Sequence, residues 1–152
     1  MSVKYNNKGL KTLIDLLKKD SPKARVGVLG EAKNRDDADG PTNVQIGQKH
    51  EFGTDELPQR SFLRVPVTEK MQSYLDDAKG FDEDAFKEVV KEKSLVPWIK
   101  KIGVIGETIV LDAFDSAGFG KWEPSNMKYK KNHETLVESQ QLRNSIASDV
   151  KE

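Results

Sequence analysis

Apolar positions at the head of the chain recur with helical spacing. Leu10, Leu13, Ile14 and Leu17 fall at i, i+3, i+4 and i+7 with lysines between and after them, which predicts an amphipathic helix. It should stop at Asp20-Ser21-Pro22, because proline disfavours helix in the residue before it. The pattern then changes to a short β-branched run from Arg25 to Gly30, read as a strand that Gly30 ends. Residues 31–42 are polar, charged and closed by Gly-Pro-Thr, which predicts a mobile loop. Thr42 is placed to cap a short helix carrying Val44, Ile46 and His50, with Gly53 ending it in the left-handed conformation.

Further along, Pro66 suits the first turn of a helix that Gly80 closes. Asp82 reads as the N-cap of the next one, with Glu83 and Asp84 facing its positive end and Phe81 and Phe86 at the hydrophobic-staple positions. Ser94 is placed to cap a longer helix reaching about Ser116, with Pro97 in its first turn. Its apolar seam runs Val96, Ile99, Gly103, Gly106, Val110, Ala113. A glycine inside a helix costs about 1 kcal/mol against alanine, so two on one seam imply that another element presses close there. "GFGKWEP" should break this helix, a short helix is expected around Met127 and Tyr129, and Leu142 to Val150 reads as a helix end entering a final strand. Several helices with few, separated strands predict an α+β fold: a small, mainly antiparallel sheet packed against a long central helix, with additional short helices, in a single domain over 1–152.

Composition narrows the functional classes. The chain has 25 basic and 25 acidic residues, so no overall field draws it to nucleic acid or to an anionic membrane. It has no cysteine, which removes disulfides and thiolate metal sites. No run approaches the ~20 apolar residues of a membrane span and the N-terminal stretch lacks a signal-peptide core, so a soluble protein without a membrane partner is expected. Charge is segregated locally. Residues 76–92 hold seven acids against three lysines, and 121–133 hold Lys121, Lys128, Lys130 and Lys131 with Trp122 and Tyr129 interleaved. Lysines among aromatics are the chemistry of single-stranded nucleic-acid contact, so a DNA-binding accessory role through 121–133 is the alternative to weigh.

Catalytic chemistry finds little purchase. His50 and Glu51 are neighbours, but adjacent helical residues point about 100° apart and do not pair. A zinc-protease helix needs histidine at position 54, which is Thr54, and "DDADG" lacks the later glutamate of a calcium loop. "VGVLGE" lacks the third glycine and the following helix of a dinucleotide site, and no Gly-x-Ser-x-Gly elbow exists. No enzyme, metal or cofactor is expected.

What remains in "HEFGTDELPQRSFLR" is architecture. Glu51 is expected to pair with Arg60 or Arg64, Phe52 and Phe62 to anchor the turn on the core, and Pro58 to stiffen it. Arginines and aromatics on a stiff loop are the composition of interface hot spots.

The order of these elements resembles the tail-completion (neck, virion morphogenesis) proteins of tailed bacteriophages, over roughly residues 9–148. The resemblance rests on two motifs. The first is His50, Glu51, Phe52, Gly53 and Thr54, then Pro58, Arg60, Phe62, Leu63 and Arg64. The second is Leu142, Arg143, Asn144, Ser145 and Ile146, preceded here by Glu138-Ser139-Gln140 where such proteins commonly show Asp-Thr-Gly. Gln140 therefore stands where glycine would take a left-handed backbone more cheaply, and Ser139 replaces threonine as a helix cap. The chain ends soon after, so strands that longer relatives add are expected to be absent. The resemblance implies a non-enzymatic virion component, assembled in the host bacterial cytoplasm. It would form a ring with itself, commonly sixfold, around the DNA channel, and meet tail-tube and head-connector proteins. DNA would pass without sequence-specific contact. The charge pattern itself adds the expectation that the acidic 76–92 and basic 121–133 segments meet across neighbouring copies.

Overall fold

The computed structural model describes residues 7–19, 22–29, 40–79, 81–123 and 140–151. Among them the chain forms α1 (Lys8–Leu17), β1 (Lys23–Val28), α2 (Asn43–Phe52), α3 (Arg64–Asp77), α4 (Glu83–Glu92), α5 (Val96–Asp115), α6 (Gln141–Asn144) and β2 (Ile146–Lys151). The long helix packs on a small antiparallel sheet, an α+β arrangement. Most of the expected mobile loop, the short helix around Met127 and Tyr129, and Gly30, Gly80 and Ser139 lie outside the described residues.

The sheet joins the two ends of the chain. β1 and β2 run antiparallel, from Lys23 opposite Lys151 to Val28 opposite Ile146. On the outer face Arg25 forks onto Asp149, with Nε to Oδ1 at 2.8 Å. The inner face lies on α5, where the two glycines make room for it. A Cβ added at Gly103 would stand 3.4 Å from Ser148 Cβ, and one at Gly106 only 2.9 Å from Val26 Cγ2. The glycine seam of the sequence is thus the bed of the sheet. Below it, Phe62, Val110, Phe114, Leu142 and Ile146 form the buried core, with the Phe62 and Phe114 rings 5.0 Å apart.

Local signals set the starts of α2 and α4. Thr42 and Gln45 form a reciprocal capping box on α2, and Asp82 accepts from the Ala85 N–H at 2.9 Å to cap α4. The Phe81 and Phe86 rings meet edge-on at 6.4 Å, as a staple should. The start of α5 differs from expectation: Leu95 is the N-cap and makes no side-chain bond, while Ser94 Oγ accepts from the Val96 N–H one step earlier. After α5 the backbone winds the opposite way, with φ of 49°, 67°, 57° and 78° from Ala117 to Gly120. That left-handed turn carries Trp122 back onto Phe114, ring centroids 6.0 Å apart. Tyr74 on α3 donates to Asp112 on α5 at 2.5 Å, tying the two helices together.

Candidate functional site

The segment from His50 to Arg64 closes on itself between α2 and α3. Its ends are tied by the Arg60 N–H donating to the His50 carbonyl at 2.7 Å, and its tip by a turn from Thr54 to Leu57. Gly53 takes φ 74° and ψ 172°. This is not the left-handed helical conformation expected from the sequence but a region that is essentially glycine-only, because a Cβ there meets its own backbone. A Cβ at Gly53 would also stand 3.0 Å from the Gln59 nitrogen. Gln59 in turn donates its side-chain amide to the Glu51 carbonyl.

Glu51 is the centre of the arrangement. Its side chain is buried (the residue is 5% exposed), and both carboxylate oxygens are engaged. One accepts from Ser61 Oγ at 2.7 Å and the Arg64 N–H at 3.0 Å; the other accepts from the N–H groups of Phe62 and Leu63, each at 3.0 Å. These donors are what the start of α3 leaves over. A helix has no internal acceptors for its first N–H groups, and Leu63, its N-cap, offers no side-chain acceptor. Glu51 satisfies Leu63 and Arg64, the Ser61 hydroxyl accepts from Val65 at 3.0 Å, and Pro66 has no N–H to satisfy. The carboxylate of one helix therefore caps the next, with negative charge at the positive end of α3.

Two expected pairings change accordingly. Arg60 is buried but does not meet Glu51: its guanidinium donates to the Glu123 carbonyl at 3.3 and 3.4 Å, and burial lowers its pKa from the ordinary value. Arg64 keeps a peripheral ion pair, Nε at 3.8 Å from Glu51, while its backbone N–H makes the closer bond. Phe62 anchors the core as expected, but Phe52 does not; it is 66% exposed. The reason is rotational: Glu51 points inward from α2, so its neighbour Phe52 is carried about 100° away towards solvent. Phe52 borders an apolar cleft of about 230 Å³, lined also by Val28, Val44, Phe62 and Leu63. Pro58 is exposed on the tip.

The second motif meets the first. Leu142 on α6 is buried, and its Cδ1 would lie 3.4 Å from a Cβ at Gly47 of α2, with the Phe62 ring at 3.3 Å. Ser145 is buried and donates to the Leu142 carbonyl at 2.6 Å. Arg143 forks onto Asp115 at the end of α5, at 2.9 and 2.7 Å, which holds the Asp115 carboxyl below its ordinary pKa. Gln140, the N-cap of α6, adopts a left-handed φ of 53°. Segments some eighty residues apart in sequence thus share one core.

The sequence reading missed Ser61 and Gln59, and it assigned Trp122 to nucleic-acid contact, whereas its ring packs on Phe114 and its indole N–H donates to the Ser61 carbonyl at 3.1 Å. A signal was present for Ser61: Pro66 marks a first helical turn, so the N–H groups just before it need acceptors, and a hydroxyl four residues before Val65 can serve. Of the basic segment, Lys121 pairs with Glu69 of α3, and Lys128, Lys130 and Lys131 lie outside the described residues. Among the described residues no three His, Asp or Glu side chains gather as metal ligands would, and no helix is long and apolar enough to cross a membrane. No protein family matches the chain, and neither the curated proteins nor the solved structures compared with it provide a match.

Proposed function

We propose that this chain is a structural subunit of a bacteriophage neck or tail top, completing the tail or joining it to the head connector as a ring around the DNA channel. One observation carries the reading. The residues that resemble the tail-completion motifs converge on a single scaffold in which Glu51 spends both carboxylate oxygens on capping α3. A carboxylate so engaged has no free oxygen for general-base work, which favours a mechanism of assembly with no bond broken. Surface composition agrees with assembly: Leu10, Ile14, Leu17 and Phe52 remain exposed on the isolated chain, and large exposed apolar residues in groups mark contact surfaces.

The test is co-sedimentation of the purified chain with phage tail tubes, alongside gel-shift with single- and double-stranded DNA at moderate salt. Saturable binding to tubes without a DNA shift is the expected result. A monomer that binds DNA tightly and ignores tubes would replace this reading with the DNA-binding alternative.

A further inference from the structure

Only half of the apolar stripe of α1 is used inside the chain. Successive helical residues are about 100° apart, so Gly9, Leu13 and Leu16 share one arc and Leu10, Ile14 and Leu17 the next. The first arc packs towards α4, where a Cβ at Gly9 would stand 3.2 Å from the Phe86 ring. The second is open: Leu10, Ile14 and Leu17 are 53%, 42% and 53% exposed. Beyond it come Lys11 and Lys18, and residues 8–19 together hold four lysines against one aspartate, a net of +3.

A surface of matching chemistry lies where α3 ends and α4 and α5 begin. Leu75, Phe81 and Trp98 line a cleft of about 380 Å³, with Asp76, Asp82 and Lys79 at its rim and the Lys101 Nζ 3.9 Å from the Asp82 carboxylate, which leaves Asp76 as its acid without a charged partner among the described residues. Phe81 is partly exposed and stands edge-on to Trp98, ring centroids 4.6 Å apart. Of the seven acids in residues 76–92, Asp76 and Asp82 line the cleft, and Glu83 and Asp84 on α4 pair with Lys87 instead.

We infer that the open face of α1 is an intersubunit surface and that its occupant is this acidic, apolar-lined cleft on a second copy of the chain. Charge selects the pairing. Two α1 faces brought together oppose +3 with +3, and two clefts oppose acid with acid, whereas α1 on the cleft joins an apolar seam flanked by lysines to an apolar floor rimmed by aspartates. The inference deepens the proposed ring-forming role and rests on it for the direction of assembly, since a contact between two different faces yields a ring only where it runs head to tail and its rotation closes.

The chain has no cysteine, so single introduced thiols report the contact cleanly. Ile14→Cys and Gln72→Cys both alter exposed positions. Mixed and oxidised under assembling conditions, the two variants should give a 14–72 crosslinked pair, with little 14–14 product. Lys11→Glu with Lys18→Glu should weaken association at least tenfold, and Asp76→Lys in the partner copy should restore part of it. A 14–72 crosslink in a species of dimer mass would keep this contact and overturn the ring. Rings that form without the 14–72 crosslink, or with 14–14 crosslinks only, would overturn the contact and leave the ring standing.

Discussion

Replacing Glu51 by alanine removes the acceptor for three backbone N–H groups and one hydroxyl, all within 3.0 Å of its carboxylate. A buried donor left without a partner costs about 1–3 kcal/mol. The cleft beside Glu51 admits water to part of the site, so the lower end applies to each N–H, and the total comes to about 3–4 kcal/mol. An ordinary helix cap is worth about 1 kcal/mol, so this is a larger loss than a surface cap gives. Against a typical domain stability of about 5–15 kcal/mol it is a substantial fraction. At roughly 2–4 °C per kcal/mol for a chain of this size, the melting temperature should fall by about 6–16 °C. Glu51→Gln should cost about half as much. Its carbonyl oxygen can still accept from Phe62 and Leu63, while its amide faces Ser61, whose hydroxyl can turn to accept, and Arg64, whose N–H cannot. Urea unfolding followed by circular dichroism measures both. A loss below about 1 kcal/mol for Glu51→Ala would refute the capping argument, and so would a glutamine variant as unstable as the alanine one.

Three further outcomes follow from local geometry. Gln140→Gly should stabilise the fold by about 0.5 kcal/mol, since relief of the positive φ slightly outweighs the added freedom of the unfolded chain; a destabilised variant in the same urea titration would argue against strain there. Gly106→Ala should destabilise by about 1–2 kcal/mol despite its better helix propensity, because the new Cβ would meet Val26 Cγ2 at 2.9 Å; a gain in stability would mean the sheet is less tightly seated. Tyr74, hydrogen-bonded to Asp112 and partly desolvated, has its pKa pushed up to about 12. Its neutral form is the one the fold favours, so this contribution is complete below the ordinary phenol pKa near 10 and is lost as pH rises towards 12. Absorbance titration should show a late-ionising tyrosine that Tyr74→Phe removes, and ionisation of Tyr74 near 10 in the folded protein would contradict it.

The elements legible in sequence were those written in short-range chemistry. Thr42 and Asp82 announced their helices because a side-chain oxygen three residues ahead of an N–H is a local signal, and the Gly103/Gly106 seam announced the sheet because two helical glycines need a reason. The role of Glu51 was not legible in the same way. Its partners are backbone N–H groups, which every sequence contains, so the carboxylate was matched to arginines by charge when the geometry matched it to a helix end. Phe52 misled for a related reason: hydrophobicity gives a preference for burial, but the inward turn of Glu51 on the same helix decides which neighbour faces the core. The convergence of Leu142 and Ser145 with Phe62 depends on β2 returning to β1 across the whole chain, a contact that no local pattern encodes. Gln140 is the case where a departure from the pattern the chain resembles implied strain, and the backbone there is left-handed.

The central proposal is assembly into a ring, and the mass of the assembled species tests it most directly. Native mass spectrometry of the chain, alone and after release from tail tubes, should give a closed oligomer, with six copies of the 17.1 kDa chain at about 103 kDa as the expected species. A chain that stays monomeric at high concentration and on tubes alike would contradict the proposal.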